Sequence, residues 1–178
     1  MMEINLDGKK KKIKAIVFDM DNTFFDLIEA KIEACKKVTE HVGINDGMEL
    51  FKYFLRENVG FEDVTCIAEY LRDKNLFEES IFKDCQNIYE NSKLDNLELY
   101  SGVRETLKKL HLEGLKLAVV SDANEKNVKT RLEYTGLHEF FHTTVSRDRT
   151  GKAKPNPESI ISALKDMEIY PEKAIIVD

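Results

Sequence analysis

The sequence predicts an α/β protein, with a parallel sheet flanked by helices on both faces and an inserted block of helices. Three observations carry this. Four short apolar, β-branched runs each end in polar residues. Helical patterns separate the second, third and fourth runs. The long stretch after the first run shows helical patterns alone. Strands that alternate with helices imply parallel pairing, because parallel strands need crossover connections.

Ile13 to Phe18 (IKAIVF) closes on an acidic cluster and reads as a buried strand. Leu115 to Val120 (LKLAVV) is a second, ending at Ser121 and Asp122. His142 to Ser146 (HTTVS) is a weaker third, and Lys173 to Val177 (KAIIV) is a fourth, ending at Asp178. Val103 to His111 reads as a helix with Ser101 as its N-cap. Glu125 to Tyr134 reads as a helix stopped by Gly136. Pro157 to Met167 reads as a third, with Pro157 in the first turn, where its missing N–H has no intrahelical partner to lose.

After the first strand, Ile28 to Val42 carries a helical stripe at Ile28, Ile32, Cys35 and Val38. Met48 to Leu55, Val64 to Leu71 and Glu78 to Tyr89 read as further helices. Such a block far exceeds a βα connection of about 2–6 residues. Residues 28–97 are therefore expected to form a helical cap, and residues 1–27 and 98–178 the α/β core. Phe51, Phe54 and Leu55 are expected to be bundle core rather than cofactor contacts. The fourth strand stops at Asp178, where a sheet of this kind continues into a loop and a helix. The C-terminal part of the core is therefore expected to be missing.

The chain has 178 residues, 42% hydrophobic and 34% charged, which suits one domain with a small insert and a packed core. A net charge of −6 and a pI near 5.4 argue against a general nucleic-acid binder. Lys9 to Lys12, with Lys14, is the one basic run. Nothing aromatic interleaves it, and a solvated lead-in to the first strand is expected. No apolar leader follows the N-terminal methionines, and no apolar run is long enough to span a bilayer. A cytoplasmic location without a membrane partner is expected. Cys35, Cys66 and Cys85 show no CxxC spacing and are expected to be reduced, buried thiols. His41, His111, His138 and His142 show no zinc-ligand spacing. GxSxG, GxGxxG and GxxxxGK[ST] patterns are absent.

Ligands of an open parallel sheet bind beyond the carboxyl ends of its strands. Asp19, Asp21, Ser121, Lys154 and Asp178 all fall at or near that edge. Residues two apart in an extended segment share a face, so Asp19 and Asp21 can address one ligand. A phosphoryl group suits the pair if a divalent cation, expected to be Mg2+, bridges carboxylate and phosphate oxygens. Asp19 would attack phosphorus. Asp21 would protonate the leaving alcohol and then deprotonate water. Thr23 and Asp26 would satisfy the turn. The Ser121 hydroxyl and the Asp122 N–H are candidates to hold phosphate oxygens. Lys154, stiffened by Pro155 and Pro157, would neutralise charge in the transition state.

In order and spacing these residues resemble the haloacid dehalogenase-like hydrolase superfamily, in particular its phosphatases with a helical cap after the first strand. The matching phrases are Asp19-Met20-Asp21-Asn22-Thr23, Val119-Val120-Ser121 and Lys154-Pro155-Asn156-Pro157. Tyr100 to Leu107 and Thr135 to Phe141 flank them with familiar wording. The resemblance implies a Rossmann-like core and a phosphatase. It makes Asp19 nucleophile and magnesium ligand, and Asp21 the acid/base, with its main-chain carbonyl on the metal. Ser121 would bind phosphate and Lys154 would stabilise charge. Asp178 resembles the start of a fourth, metal-binding motif. Asn22, Phe24 and Asp122 depart from the commoner Gly, Leu and Asn. The expected partner is a small phosphorylated metabolite enclosed under the cap. A phosphomutase on the same scaffold and a catalytically impaired binding protein are the competing readings. A receiver domain fits less well, since it carries no large helical insertion.

Overall fold

The computed structural model describes residues 2–6, 9–57 and 60–178. The chain divides into two compact units, Met1–Phe25 with Leu99–Asp178, and Asp26–Glu98.

The first unit is built on a four-stranded parallel sheet. Its strands are β3 (Ala15–Phe18), β4 (Lys116–Val120), β5 (Thr143–Val145) and β6 (Ala174–Val177), in the order β5-β4-β3-β6. β3 lies between β4 and β6, with Phe18 level with Val119 and Val177. All four β3 residues are buried, as expected for a strand covered on both faces. Ala15 and Val17 point to the face where Ala118, Val120, Val145, Ala163, Leu164 and Met167 gather. The last three belong to or follow helix α8 (Glu158–Asp166). The first strand is shorter than the sequence suggests. Lys14 lies outside it, yet still donates to the Lys173 carbonyl and accepts from Lys116 N–H.

The lysine run before the first sheet strand is solvated, as expected, and it is also a strand in its own right. Lys9–Ile13 is strand β2, paired antiparallel with β1 (Met2–Leu6). A two-stranded ribbon need not bury either face, so exposed Lys10, Lys11 and Lys12 are compatible with it. Glu3 lies opposite Lys12, an opposite-charge cross-strand pair. Ile13 at the end of the ribbon is buried.

Helices α5 (Val103–Leu112), α6 (Glu125–Tyr134) and the short α7 (Arg147–Thr150) complete this unit. Ser101 is not the cap of α5. Gly102 takes that place at φ +83°, a left-handed conformation that glycine adopts without steric cost. Helix α6 has the expected bounds. The Asn124 side chain accepts from Asn127 N–H at 2.8 Å, and Gly136 follows at φ +63°. Arg104 donates to the Gly136 carbonyl at 3.1 Å and to the Thr135 carbonyl, satisfying the end of α6.

The second unit packs four helices: α1 (Leu27–His41), α2 (Gly47–Tyr53), α3 (Thr65–Asp73) and α4 (Glu79–Asp95). Its core includes Ala34, Cys35, Val38, Phe51, Phe54, Ile67, Tyr70 and Leu71. Leu55 does not join that core: it is 58% exposed beyond the end of α2. Helix α4 runs past Tyr89 because Cys85, Tyr89 and Lys93 are all buried at a spacing of one helical turn. A lysine disguised that last repeat; its ammonium pairs with Glu90 at 2.9 Å and Glu62 at 3.7 Å. Lys31 is also buried, its ammonium 3.4 Å from the Phe61 ring centre.

Candidate active site

Asp19 is the first residue after β3, and its N–H donates to the Val177 carbonyl at 2.8 Å. The nucleophile candidate is thus fixed to the end of β6 by its own backbone. The loop that follows folds tightly. Thr23 and Phe24 N–H groups reach the Met20 carbonyl, and Asn22 N–H reaches the Phe25 carbonyl. Asn22 sits at φ +62°, where asparagine is among the better tolerated non-glycine residues. Met20, Phe24 and Phe25 are buried and anchor the loop. The Thr23 hydroxyl donates to Asp19 Oδ2 at 3.3 Å. Asp26 accepts from Glu29 N–H at 2.8 Å and caps α1.

Lys154 arrives from the loop before α8, across a cis bond to Pro155. Its Nζ lies 2.5 Å from Asp19 Oδ1 and 3.2 Å from Asp178 Oδ1. Burial pulls the ammonium's pKa down, but the hydrogen bond and charge of Asp19, helped by Asp178, outweigh it. The net effect holds the pKa above the usual lysine value. The Lys154 main-chain N–H donates to Asp122 Oδ1 at 2.9 Å. The Asp122 side chain thus ties down the lysine loop. Ser121 is buried, and its Oγ accepts from Ala123 N–H at 3.1 Å, closing a local turn.

Asp21 pairs with a different cation. Its two oxygens lie 2.8 and 2.9 Å from Nη1 of Arg131 on α6. The Arg131 side chain is 1% exposed and the Asp21 side chain 20%. Sequence reasoning passed over Arg131. The signal was available: it falls on the buried stripe of α6 beside Val128 and Leu132, where a charge needs a partner.

The structure therefore brings Asp19, Lys154 and Asp178 together, sets Asp122 behind Lys154, and turns the Asp21 side chain to Arg131. No group of three His, Cys, Asp or Glu side chains among the described residues gathers around a metal position. The donor chemistry still fits a hard divalent cation. Asp19 and Asp178 present carboxylate oxygens to one ammonium, and the Asp21 main-chain carbonyl follows Asp19 by two residues.

Residues 16–178 match the haloacid dehalogenase-like hydrolase family. The chain belongs to that family. Among curated haloacid dehalogenase-like relatives, the pyrophosphatase PpaX of Halalkalibacterium halodurans is 28% identical over 172 residues, which cover 93% of this chain and 74% of that one. The phosphoglycolate phosphatase of Aquifex aeolicus is 28% identical over 165 residues, covering 93% and 75%. In fold, the chain matches a subfamily IA hydrolase from Geobacter sulfurreducens with a TM-score of 0.68 at 20% identity, over 93% of this chain and 78% of that one. As a haloacid dehalogenase-like hydrolase it is an enzyme with a Rossmann-like parallel core. No helix among the described residues is long and apolar enough to cross a membrane.

Proposed function

We propose that the protein is a magnesium-dependent phosphatase that hydrolyses a small phosphate monoester of the cytoplasm through an aspartyl-phosphate on Asp19. The observation that carries this reading is the Lys154 ammonium, 2.5 Å from one Asp19 oxygen while Thr23 holds the other. A carboxylate held at both oxygens at the carboxyl end of a parallel sheet is oriented for in-line attack. The names of the PpaX and phosphoglycolate phosphatase relatives add support.

Asp19 attacks phosphorus and the bond to the leaving oxygen breaks, while Asp21 gives that oxygen a proton. Water then attacks the aspartyl-phosphate, Asp21 takes its proton, and inorganic phosphate leaves with Asp19 restored. Lys154 neutralises the charge that spreads over the phosphoryl oxygens. The Ser121 hydroxyl and the Asp122 N–H hold phosphate oxygens, while Ser121 Oγ also accepts from Ala123 N–H. Asp19, the Asp21 main-chain carbonyl and Asp178 would hold magnesium, which when bound neutralises phosphate charge.

The test is release of phosphate from p-nitrophenyl phosphate with magnesium, comparing wild type with Asp19→Asn. Turnover by the wild type that Asp19→Asn abolishes is the expected result. Equal turnover by both, or none by the wild type on this ester or on a panel of phosphometabolites, rejects the reading.

A further inference from the structure

Arg131 is a strong feature of the core unit that the proposed chemistry leaves unused. It reaches Asp21 across 110 residues of sequence. Its guanidinium is almost wholly withdrawn from water, which is costly for a cation unless the site repays it with hydrogen bonds. Packing alone does not call for it. Val128 and Leu132 already bury the same stripe of α6, and replacing a buried ion pair with apolar side chains is often neutral or stabilising. What a guanidinium adds is direction. Nη1 lies 2.8 and 2.9 Å from the two Asp21 oxygens, and so fixes the rotation of the carboxylate as well as its position.

The other end of the contact also needs holding. Asp21 lies in a loop whose backbone is pinned at Asn22, Thr23 and Phe24, and these bonds act on the main chain. Asp21 is partly exposed, and the Arg131 contact restricts the rotamers its carboxylate can take. Helix α6 is a firm base for the tether. It is capped at its start by Asn124 and closed at its end by Arg104.

We propose that Arg131 is a positioning residue for Asp21: it holds the acid/base carboxylate in one orientation from a buried station on α6, without touching the substrate. This rests on the phosphatase reading above. A proton donor matters most when the leaving group is a poor one, because a good leaving group departs without it. Loss of the tether therefore acts selectively, on esters of weakly acidic alcohols and phenols.

The experiment compares kcat/KM for phenyl phosphate and p-nitrophenyl phosphate, with magnesium, in wild type, Arg131→Met, Arg131→Lys, Asp21→Asn and the double variant Asp21→Asn/Arg131→Met. Arg131→Met should lose about 100-fold on phenyl phosphate, the scale of a misplaced catalytic group, and much less on p-nitrophenyl phosphate. Most of the loss should fall in kcat rather than KM. Arg131→Lys should recover part of it, since it keeps a donor without the planar fork. In the Asp21→Asn background, Arg131→Met should add nothing further. Equal losses on the two esters, or losses that add in the double variant, overturn the proposal and leave Arg131 a structural residue. If Arg131→Met does not fold, Arg131→Lys carries the same test: a selective loss on phenyl phosphate supports the proposal and a uniform loss overturns it. A wild type inactive on both esters defeats the phosphatase reading itself, a result distinct from a failed selectivity test.

Discussion

Lys154→Met separates the charge of Lys154 from its place in the fold. Methionine keeps most of the apolar stem and removes the ammonium. The loop stays tied, because the bond to Asp122 uses the Lys154 main-chain N–H. What disappears is one cation, 2.5 Å from Asp19 and 3.2 Å from Asp178. The Lys154 and Asp19 side chains are 26% and 15% exposed, so solvent screens the pair only in part. At an effective dielectric near 20, two unit charges about 4 Å apart attract by roughly 4 kcal/mol. Part of that attraction exists before the reaction starts and does not accelerate it. The share that grows as charge spreads over the phosphoryl oxygens is comparable to one oxyanion-stabilising donor, about 10²–10³ in kcat. The assay is steady-state turnover of p-nitrophenyl phosphate with saturating magnesium, alongside a thermal melt to show that the variant folds. A folded Lys154→Met that retains wild-type kcat refutes the role given to Lys154, whatever its KM.

Two further outcomes follow from burial and charge. Cys35 and Cys85 are fully buried, and burial above all pushes their thiols up to about 12 and about 11, with Cys66 raised for the same leading reason. Native protein at pH 8 should leave a thiol-specific disulfide reagent unreacted, and denaturant should release three equivalents; rapid reaction of the native protein contradicts the buried thiols. The second outcome concerns Asp166, which accepts from both Arg149 nitrogens at 2.6 and 2.7 Å and from Thr143 at 2.6 Å. The Arg149 bond, then Thr143, hold its carboxyl below the ordinary value. A lowered carboxyl pKa stabilises the fold above the unfolded-state value, and that stabilisation is lost as pH falls through the folded value. Asp166→Asn should therefore lower the urea midpoint at pH 7, with the gap to wild type closing in strong acid. A gap that does not change with pH removes this account.

The sheet was legible because its strands are apolar on both faces, so β3, β4 and β6 stand out as runs. Helix α6 was legible to the residue because its pattern is closed by Gly136, and the structure adds the Asn124 cap at its start. The β1–β2 pairing was not, since a ribbon with a solvated face imposes no apolar pattern and its lysines read as a solvated lead-in. The tail of α4 was hidden by Lys93, whose burial depends on Glu90 and Glu62. At the site, Asp19 and Lys154 sit in local phrases that mark them, and the structure does bring them together. The Arg131–Asp21 contact has no local phrase. Nothing near Arg131 in the chain names its partner, and only the docking of α6 beside the loop after β3 supplies it.

The wiring of the site has a consequence for the life of the newly made chain. Asp19 is translated early, and the ammonium that holds it comes 135 residues later. At bacterial or eukaryotic rates of about 5–20 residues per second, that delay is on the order of ten seconds. For most of that interval the ribosome carries Asp19 without its ammonium and Asp21 without its arginine, which is itself made before Lys154. The contacts that order the Asp19 carboxylate therefore stay unmade until β4, β5 and the Lys154 loop have been laid down, so that a half-made chain holds no assembled site.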